Sequence, residues 1–75
     1  MREVNKGEIY KHFKGHIYKI VCVATNSDDL RKQVIYQDTT NEEKIWVRDY
    51  DEFISLVDKN KYPDCTQEYR FELVK

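Results

Sequence analysis

Between Gly7 and Ala24 the chain reads GEIYKHFKGHIYKIVCVA, two runs of strand-forming residues that meet at Gly15. Isoleucine, valine, tyrosine and phenylalanine suit a pleated, half-buried surface. In the first run, Gly7 to Phe13, the side chains repeat with period two, the spacing of a strand and not of a helix. Ile9, Lys11 and Phe13 form a mixed apolar face, and Tyr10, His12 and Lys14 form a polar, aromatic one. Gly15 supplies the left-handed backbone that a tight turn needs. The second run, His16 to Thr25, is the most apolar segment. Ile17, Ile20, Val21, Cys22, Val23 and Ala24 predict near-continuous burial in its second half and a place at the centre of a sheet.

The remaining pattern extends this hairpin. Asn26, Ser27, Asp28 and Asp29 are turn formers. Gln33 to Thr39 reads as a third strand and Lys44 to Arg48 as a fourth, where Ile45 and Val47 alternate with Trp46 and Arg48. Asp49 and Glu52 have capping-box spacing, and Phe53, Leu56 and Val57 then share one helical face, which predicts a short helix over Tyr50 to Asp58. A polar loop with Pro63 precedes a fifth strand, Tyr69 to Val74. The expected order is β-β-β-β-α-β: an α+β, mainly β fold with a small curved antiparallel sheet of about five strands, an SH3-like barrel with the helix at one end.

With 75 residues the chain is one domain, with its core over about residues 7–74, and a domain this small has no room for an enclosed substrate cavity. It has no apolar run of secretory or membrane-spanning length, so a cytoplasmic protein without membrane contact is expected, with Cys22 and Cys65 as free thiols. The net charge of −1 argues against a dedicated duplex-DNA binder. Charge is nonetheless uneven: residues 1–20 carry Arg2, Lys6, Lys11, Lys14 and Lys19 against Glu3 and Glu8, whereas residues 26–52 carry eight acids against Arg31, Lys32, Lys44 and Arg48.

Catalytic chemistry finds little material. His12 and His16 flank a turn that points their rings apart, and no third ligand accompanies them, so neither a metal site nor a cofactor is expected. The adjacent acids, Asp28 with Asp29 and Glu42 with Glu43, lie in turns, where such pairs are ordinarily solvated. No nucleophile stands beside a base, and the reading is of a protein that is not an enzyme.

The better candidate is a ligand-binding face made of Tyr10, His12 and Lys14 on the first strand and Trp46 and Arg48 on the fourth. Rings would stack on a base, a planar ligand or a peptide while Lys14 and Arg48 meet phosphate or carboxylate. Tyr18 or Tyr36 would extend this face, and Arg70 either joins it or lies along the sheet. The bland reading places Trp46 and Tyr10 half in the core and pairs Arg48 with a carboxylate. The expected function is a noncatalytic binding module for a nucleotide or single-stranded nucleic acid. Its alternative is a protein-interaction module that binds a peptide or self-associates through a sheet edge. Either would be a monomer or weak homodimer, with nucleic acid or a protein as its partner.

The pattern GxIYKHFKGxxYxIxxxA from Gly7 to Ala24 is followed by VIYQ at Val34 to Gln37, WVR at Trp46 to Arg48, Phe53, and RF at Arg70 to Phe71. Together these resemble the bacterial domain of unknown function family 1653 over nearly the whole chain. The resemblance implies a small β-rich, barrel-like domain and carries no activity. Family members usually place a proline after WVR, where this chain has Asp49. They usually have a segment containing histidine and threonine after the second strand, where this chain has Asn26 to Asp29.

Overall fold

The structure, a computed structural model, describes residues 3–75. Five strands and one helical turn follow the expected order: β1 (Ile9–His12), β2 (Ile17–Thr25), β3 (Lys32–Asp38), β4 (Ile45–Asp49), α1 (Tyr50–Phe53) and β5 (Phe71–Leu73). All neighbours pair antiparallel, and the strand order is β4-β3-β2-β1-β5. β2 therefore lies at the centre, as its composition predicts.

The sheet is strongly curled but not closed into a barrel. Strands β4 and β5 are separated by three others and would lie ~19 Å apart in a flat sheet. Yet the Arg48 guanidinium on β4 is 5.8 Å from the centre of the Phe71 ring on β5. A register shift between Ile20 and Cys22 marks a bulge in β2, a device that bends a strand and increases its twist. α1 and the segment after it occupy the gap between the two edges. The Arg70 amide donates to the Ser55 carbonyl at 3.0 Å and the Val57 amide to the Glu68 carbonyl at 2.9 Å.

The core lies inside this curl. Val4, Tyr10, Ile20, Val34, Tyr36, Phe53 and Phe71 are buried together. Phe53 stacks flat on Phe71, with centroids 4.0 Å apart, while Tyr10 and Tyr36 meet Phe53 edge-on at 5.4 Å. Edge-to-face contact is favoured by the aromatic quadrupole. Val4 extends the core beyond the expected 7–74, and its amide donates to the Tyr50 hydroxyl at 2.9 Å.

Several expectations are corrected here. On β1 the polar, aromatic face turns inward and the face with Ile9 and Lys11 turns outward, because inside the curl Tyr10 packs edge-on to Phe53 and His12 edge-on to Phe71. Only Ile20 is fully buried on β2, and the run Val21 to Ala24 is half-buried, since no second layer covers the outer face. The helix spans four residues and not nine. Phe53 and Val57 are buried, but Leu56 is 55% exposed and forms an isolated bridge with Tyr69. The chain there extends to pair with the segment before β5, which a continued helix would forbid. Asp49 makes no side-chain cap. Its carboxylate instead accepts from Arg31 Nη1 and Gln33 Nε2, both at 3.0 Å.

Candidate anion-binding site

Register decides which side chains share a surface, because directly opposed residues in an antiparallel ladder point to the same face. Tyr10 opposes Tyr18, Tyr18 opposes Asp38, and Tyr36, two residues from Asp38, opposes Trp46. Tyr10, His12, Trp46 and Arg48 therefore lie on one face, the concave one. They do not form one flat platform, however. Tyr10 is 3% exposed, lies at the bottom of the core and donates to Glu8 Oε1 at 3.1 Å. Trp46 is 46% exposed on edge strand β4. His12, Lys14 and Arg48 are brought together, and with Lys61, Arg70 and Asp58 they line a cavity of about 250 Å³.

The β1–β2 turn positions His12 and Lys14. The Gly15 amide donates to the His12 carbonyl at 2.8 Å, and the His12 amide donates to the His16 carbonyl at 2.8 Å. Gly15 has φ +102°, the left-handed residue that closes a three-residue hairpin loop. Within this turn the Lys14 amide donates to His12 Nδ1 at 3.1 Å. Nδ1 is thus an acceptor, so the neutral ring carries its proton on Nε2. Burial against Phe13 and Phe71, whose ring centres lie 4.5 and 4.8 Å away, pushes the His12 pKa down to about 4. Arg48, Lys14, His16 and Arg70 press it the same way.

Arg48 is held from two sides. Its Nη1 pairs with Glu52 Oε1 at 2.7 Å, and its Nε donates to the Tyr36 hydroxyl at 3.4 Å. Burial works to lower its pKa, but Tyr36 and Glu52 outweigh burial and raise it. Tyr18, edge-on to Tyr36 at 5.1 Å, has its pKa raised by burial and by the neighbouring Tyr36 and Asp38. It stays a neutral phenol. Arg70 Nε is buried without a hydrogen-bond partner among the described residues, and a buried donor left this way costs free energy that a bound anion beside the guanidinium would reduce.

Lys61 and Tyr62 are the residues that reading the sequence missed. They belong to the polar loop before β5, which the structure shows to be tied down. The Tyr62 amide donates to the Asp58 carbonyl at 2.9 Å, Lys59 Nζ donates to the carbonyls of Cys65 and Gln67, and Gln67 Nε2 donates to the Lys11 carbonyl at 2.9 Å. These bonds set Tyr62 against Phe13, with centroids 4.9 Å apart. The signal in the sequence was the KYPDC run itself, a basic and an aromatic residue before proline.

A protein-family model covers most of the chain. The model described as "Protein of unknown function (DUF1653)" matches residues 8–73. The chain belongs to this family. No curated protein and no solved structure matches it. Within this DUF1653 domain the RF motif supplies Arg70 to the cavity and Phe71 to the core, WVR supplies Arg48, and the YKHFKG segment supplies His12, Lys14 and the turn. Cys22 and Cys65 are free thiols. No group of three metal-ligating side chains occurs among the described residues, and no described helix is long and apolar enough to cross a membrane.

Proposed function

We propose that this DUF1653 domain is a noncatalytic, cytoplasmic binding module whose ligand presents an anionic group, as a nucleotide or a single-stranded nucleic acid does. The observation that carries this reading is the convergence of His12, Lys14, Arg48, Lys61 and Arg70 on one small cavity with Asp58 as its single acid. Guanidinium and ammonium groups gathered on an open aromatic wall suit phosphate oxygens with a planar group alongside. Kinship with small SH3-like domains belongs to the same proposal.

The test is an amide NMR titration with a mixed-sequence single-stranded oligonucleotide at about 50 and about 200 mM salt, a range over which phosphate contacts weaken steeply. Shifts centred on His12, Lys14, Arg48 and Arg70 that fade at high salt are expected. Their absence at low salt with the oligonucleotide and with a mononucleotide alike would overturn the reading.

A second reading rests on Ile45, Trp46 and Val47, which are 56, 46 and 56% exposed on edge strand β4. Such an edge suits strand addition by a peptide or a second copy. Concentration-dependent mass from light scattering, lost in Val47→Lys, would favour it.

A further inference from the structure

The cationic cleft has a larger neighbour. A cavity of about 600 Å³ adjoins it, and the two share four lining residues: Phe13, Lys14, Lys61 and Tyr62. Lys14 Nζ lies 5.8 Å from the Phe13 ring and 5.7 Å from the Tyr62 ring, and Lys61 Nζ lies 5.6 Å from Tyr62. The boundary between the cavities is therefore aromatic with two ammonium groups above it. Beyond it the larger cavity is lined by Asp64, Cys65 and Thr66. Its loop wall is held by the bonds from Lys59 and Gln67, so the space exists before a ligand arrives and little ordering accompanies binding.

We propose that the two cavities together receive one phosphorylated nucleotide unit, its phosphate in the cleft of His12, Arg48 and Arg70 and its base against Phe13 and Tyr62. This inference rests on the binding function proposed above and narrows it. A surface that tracks a strand presents a succession of rings and cations along a groove. Here the cations converge on one point, with Asp58 in the same cleft, Glu52 paired to Arg48 and Asp64 in the adjoining cavity. Such an arrangement takes one phosphate and repels the next. The shared chemistry is a phosphate ester one sugar away from a base, found in a free mononucleotide and at the phosphorylated end of a strand.

The experiment titrates the full chain with inorganic phosphate, adenosine 5′-monophosphate, and one tetranucleotide with either a 5′-phosphate or a 5′-hydroxyl, following amide shifts. Inorganic phosphate is expected to move His12, Lys14, Arg48 and Arg70 and to leave Thr66 unmoved. The mononucleotide is expected to move these together with Phe13, Tyr62 and Thr66. Tyr62→Ala should weaken the mononucleotide on the order of tenfold to a hundredfold, the worth of one stacked base, and weaken inorganic phosphate far less. Tyr62→Phe should restore binding.

A tetranucleotide that binds only when 5′-phosphorylated identifies a strand end as the source, and mononucleotide binding with neither tetranucleotide bound identifies the free nucleotide. Equal binding of both tetranucleotides would overturn the inference. So would a mononucleotide that binds no more tightly than phosphate and leaves Tyr62 unmoved, with the anion site still standing. If neither phosphate nor nucleotide binds, the proposed function falls with it.

Discussion

Acidification should destabilise this domain through His12, and a single substitution isolates the effect. In the unfolded chain the imidazole titrates near 6.5, whereas in the fold it is pushed down to about 4. Between these values the unfolded chain binds more protons than the native one, so unfolding becomes more favourable as pH falls. The contribution is complete above about pH 6.5, is lost progressively toward about pH 4, and changes little below that. At about 1.4 kcal/mol per pH unit the full gap would be worth roughly 3 kcal/mol. The ring is partly solvated and its cationic neighbours are screened, which reduces the effect to about 1–2 kcal/mol.

The assay is urea unfolding of wild type and His12→Gln from pH 8 to pH 3.5. Subtracting the two curves removes the carboxylates common to both. The difference should be flat above pH 7 and slope between pH 6.5 and 4, with the His12 ring protons titrating in the same low range by NMR. A His12 midpoint near 6.5, or parallel stability curves for the two proteins, would refute the reasoning. Saturating phosphate should move the midpoint upward, because an anion beside the ring offsets Arg48, Lys14 and Arg70.

Further outcomes follow from the packing. Phe53→Ala should cost about 3–5 kcal/mol, because Phe53 is wholly buried and stacked on Phe71; thermal unfolding by circular dichroism measures it, and a loss below about 1 kcal/mol would contradict the core described. Gly15→Ala should cost about 1–2 kcal/mol from its left-handed backbone alone, since an added methyl meets no atom within 4 Å; a neutral result in urea unfolding would show that the turn rearranges. Arg48→Gln should raise the His12 pKa and weaken phosphate binding severalfold, as seen in the same NMR titration, whereas Trp46→Ser should leave phosphate binding unchanged because Trp46 does not line the cavity.

Local pattern carried most of the fold. Period-two alternation located β1, β4 and β5, and runs of apolar and strand-forming residues between turn formers located β2 and β3, all to within a few residues; the glycine located the first turn, and the long apolar run of β2 identified the central strand. These features depend on neighbouring residues, so the chain states them directly. Alternation also placed Tyr10 with His12 and Trp46 with Arg48, but it sets relative faces along each strand and says nothing of which face closes inward. The curl of the sheet decided that, drawing Tyr10 into the core, leaving Trp46 on an edge, and carrying Arg48 across to Phe71.

The helix was overread for a related reason. Phe53, Leu56 and Val57 satisfy helical spacing, but backbone pairing of residues 55–57 with residues 68–70 competes with it and prevails. The cleft was half legible. His12, Lys14 and Arg48 lie in patterned strands or beside a turn, whereas Lys61 and Tyr62 lie in an aperiodic loop whose position depends on bonds from Lys59 and Gln67 to distant carbonyls. Local composition and spacing establish the strands, the turn and the residues able to meet an anion. Tertiary structure alone decided which of them meet, because sheet curvature and loop anchoring arise from contacts between residues far apart in the chain.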